Sequence, residues 1–456
     1  MISKGDQTMT MRHLIPAGRA KALALALALA TALLSTPGKA ATTSIDFYFP
    51  TPVQGPLARE LTRIVKEFND KNADIEVVAV YTGSYDDTRV KAQAAIAAGK
   101  PPGVALMSAN FVLEFVLNRQ IEPIEDYLVE NKVDPKSFLD DFWPAVRPNA
   151  TIDGKIYAIP YQNSTPLLYI NADHFREAGL DPAKPPQTWT DLVSYAEKLT
   201  KREGDQVVRW GLTMPSAYDY CGWLIQSFTM ANGGLFYNPS YGGEVYYDQP
   251  STLGALQLWK DLAFKYKVMP QGVIDPNQVS ADFFAGKASM VVLSTGSLTF
   301  IRNGAKFPYR VGFMPRNVRN AVPIGGGSLI AFAGLSPEQR KAAWRFMSYM
   351  TSPEQLGHWS RFTGYFSPRK SSYDLPEMKE FIAQHPDALT ALEQLEYAGP
   401  WLAVYDTVAV RKAMEDQVQA VLSGKKEPAQ AVKDAQKAAD EIMRPLTEKI
   451  TGGVGP

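Results

Sequence analysis

Cysteine is almost absent: Cys221 is the single one in 456 residues. One thiol makes neither an intrachain disulfide framework nor a cysteine-based zinc site. With no histidine partner nearby, it reads as a buried structural thiol and not as a nucleophile. Histidine is scarce as well, with four. Past residue 40 these are His174, His358 and His385, in separate segments without metal-ligand spacing, so no metal or cofactor is implied. Net charge is missing too: 47 Lys and Arg meet 47 Asp and Glu. That balance provides no basic footprint for nucleic acid. The chain has no Gly-x-Ser-x-Gly elbow, no P-loop and no Gly-x-Gly-x-x-Gly fingerprint. No carboxylate pair is singled out for glycosidase chemistry. Acid, base and nucleophile are all without a visible constellation, and none of these patterns marks an enzyme.

Beyond residue 40 there is also no run of ~20 apolar residues. The one long apolar stretch, Ala22–Leu34, lies in the leader behind Arg12, Arg19 and Lys21, and is followed by Pro37, Gly38 and Ala40. This is the layout of a secretory signal peptide over residues 1–40, with cleavage expected after Ala40 and a start at Met1, Met9 or Met11. The remainder carries 42 basic and 46 acidic residues, a net charge of −4. It is expected to be exported and not membrane-spanning.

After the leader the hydrophobic pattern alternates between strand and helix periods. Ile45, Phe47 and Phe49 fall on one side of a strand that Pro50 ends, and Leu57, Leu61, Ile64, Val65 and Phe68 recur at helical spacing. A second strand over 75–80, a helix over 86–98 and a third strand over 104–107 predict an α/β layer with mostly parallel pairing. Further strands are expected over 155–161, 167–171, 288–293, 309–313 and 328–332. Helices are expected from Thr188, with Asp191 closing a capping box, and over 252–266, from Pro337, 408–422 and 428–446. A chain of this length exceeds the ~250–300 residues of one core, which implies at least two domains. The order of elements suggests a first lobe over 41–165 and a second over 166–287. It then suggests a return to the first lobe over 288–333 and a largely helical end of the second lobe over 334–456.

The residues that stand out are neutral donors and aromatics in loops. Tyr81-Thr82-Gly83-Ser84-Tyr85 and Ser294-Thr295-Gly296-Ser297 come after strands, and Gln162-Asn163-Ser164-Thr165 lies at the expected crossing. Tyr218, Tyr220 and Trp223 are grouped, Gly325-Gly326-Gly327 precedes a strand, and Tyr365 comes after Gly364. Ligands lodge outside the carboxyl ends of strands in α/β sheets, and hydroxyls and aromatic faces suit oxygen-rich molecules.

The blocks Ser164-Thr165-Pro166-Leu167-Leu168-Tyr169-Ile170-Asn171, Phe175-Arg176-Glu177-Ala178-Gly179-Leu180-Asp181-Pro182 and Pro185-Pro186-Gln187-Thr188-Trp189-Thr190-Asp191-Leu192 carry a resemblance. Gly312-Phe313-Met314-Pro315, Ile324-Gly325-Gly326-Gly327-Ser328-Leu329 and Thr363-Gly364-Tyr365 extend it. Together they resemble the family 1 extracellular solute-binding proteins, the substrate-binding subunits of ABC importers. Within that family the sequence is most similar to the branch that takes glycerol-3-phosphate and glycerophosphodiesters.

The resemblance implies a two-lobed α/β periplasmic binding protein of class II type, like maltose-binding protein, with a hinge of about three crossings and a ligand cleft between lobes. It implies a monomer in the periplasm that captures its ligand by lobe closure and docks on permease subunits in the inner membrane. Block matching puts Tyr85, Ser164, Ser294, Gly326, Tyr365 and Arg411 on ligand positions, with Arg411 as the anion clamp. The family's glutamate after the third strand is missing from Ser108-Ala109-Asn110-Phe111, where Asn110 is the substitute. Its two-tryptophan segment becomes Tyr218-Asp219-Tyr220-Cys221-Gly222-Trp223, which makes Tyr220 and Trp223 candidates. A neutral sugar or oligosaccharide is the alternative ligand. An exported phosphodiester hydrolase is the alternative of another class.

Overall fold

The structure, a computed structural model, describes residues 42–450 except 52, 54, 218 and 241. The expected signal peptide and Tyr218 lie outside the described residues. In chain order, strand β1 (Thr43–Pro50), helix α1 (Leu57–Lys71), β2 (Ile75–Gly83), α2 (Tyr85–Ala97) and β3 (Val104–Ser108) come first. Beyond several short turns lie β4 (Ile159–Ser164), β5 (Pro166–Asn171), α3 (Trp189–Leu199), β6 (Lys201–Glu203) and β7 (Gln206–Thr213). Then come α4 (Tyr220–Ala231), α5 (Pro250–Phe264), β8 (Ala288–Ser294), β9 (Tyr309–Gly312) and β10 (Gly325–Ala331). The helices α6 (Pro337–Met350), α7 (Pro353–Thr363), α8 (Thr407–Leu422) and α9 (Pro428–Ile450) complete the main set.

Two five-stranded sheets make the two lobes. The first has the order β2-β1-β3-β10-β4, the second β9-β5-β8-β7-β6. In the first sheet β1 runs parallel to β2 and β3, whereas β10 runs antiparallel to β3 and β4. Its core has the period read from sequence: Ile45, Phe47 and Phe49 point inward from β1, and Leu61, Ile64, Val65 and Phe68 cover them from α1. Helix starts are fixed by side chains that satisfy otherwise unpaired N–H groups. Thr188 and Asp191 form the expected capping box on α3, and Ser336 caps α6 with Pro337 at its first position.

The chain changes sheet at Thr165, between β4 and β5. It returns over residues 313–324, where Val322–Pro323 pairs with Ala398–Gly399. This corrects the expected return at 288. β8 pairs antiparallel with β5 and parallel with β7, and β9 pairs with β5, so both belong to the second sheet. A buried apolar run marks a strand but not its partner, because both faces of either sheet are covered. The expected assignment of 334–456 to the second lobe is corrected at its start as well. Helix α6 packs on the first lobe, with the Phe346 ring 5.0 Å edge-on from Phe47 and 5.2 Å from Phe68. Helix α7 still meets the first lobe, with Trp359 5.5 Å from Tyr161; the chain crosses a third time after it, and α8 and α9 pack with α4 and α5 in the second lobe.

Candidate functional site

The strand directions bring several ends to one edge of each sheet. Thr51 comes directly after β1, Gly83 ends β2, Ser108 ends β3, Ser164 ends β4 and β10 opens at Gly325; all line one cavity of about 450 Å³. From the second sheet Ser294, the last residue of β8, meets it across the cleft. The volume lies within the ~300–1,000 Å³ of small-molecule sites, and the position is the one α/β topology predicts for a ligand.

Eight of the nine residues singled out from sequence line this cavity: Tyr85, Ser164, Tyr220, Trp223, Ser294, Gly326, Tyr365 and Arg411. Asn110 does not, and the expectation for it is corrected. A turn after β3 buries it completely, its Oδ1 accepts from Ser108 Oγ at 2.6 Å, and Ser108 takes the lining position. Sequence reading missed Asp219 and Trp401, which also line the cavity. Asp219 stood inside the segment matched to the family's tryptophans, and Trp401 behind Gly399-Pro400. An acid beside two aromatics was the available signal for the first.

On the first lobe, Ser84 caps α2: its Oγ accepts from Asp87 N at 3.1 Å, and Asp87 Oδ2 accepts from Ser84 N at 2.9 Å. This box fixes Tyr85 as the first helical residue. Its phenol accepts from Gln162 Nε2 at 2.8 Å, and burial pushes its pKa up, so it stays a neutral donor. Gly326 has φ +85°, and a Cβ there would fall on the Gln162 carbonyl oxygen. Only glycine serves at this edge, which brings bare backbone to the cavity wall.

On the second lobe, α4 starts at the cleft. Tyr220 packs edge-on to Trp223 at 6.0 Å, and Trp223 lies 6.4 Å from Trp401. Burial pushes the Tyr220 phenol up to about 12. The indole Nε1 groups of Trp223 and Trp401 are buried and find no acceptor among the described residues. Both residues line the cavity, and an unpaired buried donor costs ~1–3 kcal/mol until an acceptor meets it. Cys221 has no such role: burial pushes its thiol far up, so it holds no thiolate.

Arg411 projects from α8 and is only 3% exposed. Its Nη2 donates to Asp86 Oδ2 at 3.0 Å and pairs with Asp219 Oδ1, and its Nε lies 3.0 Å from Glu415 Oε1. The Phe111 ring lies 5.9 Å from the guanidinium carbon. Burial alone would pull the guanidinium down, but Asp219, Glu415 and Asp86 together hold it charged. Burial pushes Glu415 up to about 7 against the opposing pull of Arg411, and it raises Asp219 in the same way. Asp219 sits at φ 66°, ψ −58°, with its N–H on Glu415 Oε1 at 3.1 Å. A non-glycine residue in this region is strained and persists only where its surroundings hold it.

None of His174, His358 and His385 lines the cavity. His174 Nδ1 lies 3.1 Å from Ser289 Oγ, and His358 Nε2 lies 2.6 Å from Glu60 Oε1. Among the described residues no group of three or more His, Cys, Asp or Glu could hold a metal ion. No described helix is long and apolar enough to cross a membrane.

Comparison with known proteins agrees with this geometry. The sequence model of the family described as bacterial extracellular solute-binding protein matches residues 63–390. The sn-glycerol-3-phosphate-binding periplasmic protein UgpB of Escherichia coli (strain K12) is 29% identical over 423 residues, covering 89% of this chain and 93% of that one. Among solved structures, UgpB from Mycobacterium tuberculosis in complex with glycerophosphocholine superposes with a TM-score of 0.78 at 23% identity. That match covers 89% of this chain and 99% of the other. Maltose-bound MalE3 of T. maritima gives 0.75 at 24% identity, over 87% and 99%. With two sheets facing one cleft and a family match over most of its length, the chain belongs to the bacterial extracellular solute-binding proteins, the ligand-capturing subunits of ABC importers.

Proposed function

We propose that this protein captures a glycerophosphodiester in the periplasm and passes it, chemically unchanged, to the permease of its importer. The observation that carries this reading is the buried Arg411 at the cavity wall, set among hydroxyls and unpaired indole donors. A guanidinium suits a phosphate oxyanion, and the Ser164 and Ser294 hydroxyls with the Gly326 backbone suit its remaining oxygens. The relatives support the ligand class, since one is named for glycerol-3-phosphate and another holds glycerophosphocholine. A second cavity of about 190 Å³ shares Thr51, Val53, Tyr220 and Pro276 with the main one, which leaves room for a headgroup beyond the glycerol phosphate. The ligand's contacts reach both lobes, so binding favours the closed arrangement that a permease recognises.

A neutral sugar is the second reading. It is favoured by the carboxylates already facing Arg411 and by the aromatic wall of Tyr220, Trp223 and Trp401. A thermal-shift panel of glycerophosphocholine, glycerol-3-phosphate and maltose separates the two. A phosphodiester at ~100 times its Kd adds about 2.7 kcal/mol and raises Tm. A rise with maltose and none with either phosphate supports the sugar and contradicts the proposal.

A further inference from the structure

Arg411 offers no free edge to a bidentate oxyanion. Such an anion needs two parallel N–H groups of the guanidinium. Both such edges share Nη2, which donates to Asp86 Oδ2 and faces Asp219 Oδ1, so each has that member taken, whereas Nε lies 3.0 Å from Glu415 Oε1 without a hydrogen bond among the described residues. Asp219 and Glu415 stand on the same lobe as Arg411. Asp86 does not: it lies in the first turn of α2, directly after Tyr85, and reaches Arg411 across the cleft. Its neighbour Asp87 is held in the capping box, and the nearby Glu114 is matched by Arg89 at 2.8 Å. Asp86 itself is served only on one oxygen; its Oδ1 is buried and finds no partner among the described residues. Of the three carboxylates it is the one that stands on the other lobe from Arg411, and so the one that lobe opening draws away.

We propose that Asp86 is a built-in competitor for the ligand's anionic group: a bound oxyanion displaces it from Arg411, and its charge, kept close by, selects singly charged phosphodiesters over doubly charged phosphomonoesters. The inference rests on the phosphate reading of the cleft. A phosphomonoester loses its second proton near pH ~6, whereas a diester has no second proton to lose. Each additional ligand charge therefore meets the repulsion of Asp86 at short range, in a site where water screens poorly.

The test is calorimetric titration at pH 8 of the parent, Asp86→Asn and Asp86→Glu with glycerophosphocholine and with glycerol-3-phosphate. Asp86→Asn is expected to tighten glycerol-3-phosphate about tenfold and glycerophosphocholine about threefold or less, while Asp86→Glu keeps the parent's preference. An unchanged ratio of the two affinities in Asp86→Asn, or a loss of both, overturns the proposal. Small-angle scattering of the same proteins without added ligand reads the cross-lobe pair alone. A larger radius of gyration for Asp86→Asn than for the parent is expected, and equal radii overturn the pairing. If neither compound binds the parent, the phosphate reading fails, and the scattering comparison still decides on the pair.

Discussion

Glu415 is the carboxyl on which the charge balance of the cleft turns. It is 1% exposed, it stands one helical turn from Arg411, and burial holds it at about 7 against an ordinary value of 4.5. Between these two values the folded protein binds more protons here than the unfolded chain does. Stability therefore falls as pH rises through that window and levels off above it. Glu415→Gln removes the dependence. Urea unfolding at pH 5, 6.5 and 8 is expected to show the parent losing stability relative to the variant as pH rises, by on the order of 3 kcal/mol at most. Parallel curves for the two proteins contradict this. At this scale the site was legible where a residue carries its own signal. Arg411, Tyr365 and Gly326 were found through local blocks, and each lines the cavity. The partners of Arg411 were not legible: Asp86 lies 325 positions away, and no local pattern links a helix cation to a distant acid. Asn110 failed for the opposite reason. Its type fits a ligand contact, but one turn of backbone decides whether it or Ser108 faces the cavity.

Among the elements, α2 does most to place the first-lobe wall. Its capping box ties Ser84 and Asp87 together, and the residue between the cap and the helix body is Tyr85 itself, joined to Gln162. Ser84→Ala removes the acceptor for the Asp87 N–H and is expected to cost about 1 kcal/mol in urea unfolding. It is also expected to weaken ligand binding by more than that loss in stability explains, since Tyr85 loses its anchor. Unchanged affinity contradicts the role of the cap. Element type was readable from period and caps: β1, α1, α3 and α6 lie where the apolar spacing and the Thr188 and Ser336 signals put them. Strand partnership was not. β8 reads as a buried run, and only its antiparallel register with β5, Met290 opposite Ile170, shows which sheet owns it. Helix α4 escaped sequence reading because its residues 221–229 are all buried and so show no polar face to set a period.

At the scale of the whole molecule, the two sheets present their strand ends to each other, and the chain passes between them at Thr165, over 313–324 and after α7. Under the proposed function such a layout couples ligand binding to lobe approach, because one molecule in the cleft would touch walls that belong to separate cores. Cross-lobe contacts obey the same logic: Arg411 with Asp86 at the cavity, and Thr407 Oγ1 with the Asn110 carbonyl at 3.3 Å behind it. The balance of 47 positive and 47 negative residues in the full sequence gives no net pull on anions, which leaves their recognition to this local arrangement. If the cleft binds a glycerophosphodiester through Arg411, calorimetric titration of the parent and Arg411→Gln with glycerophosphocholine shows it most directly. One site per chain is expected in the parent, and affinity at least ~30-fold weaker in the variant, the range for removing one partner of a buried charge pair. Equal affinity in the two proteins, or no heat with glycerophosphocholine where maltose binds, contradicts it.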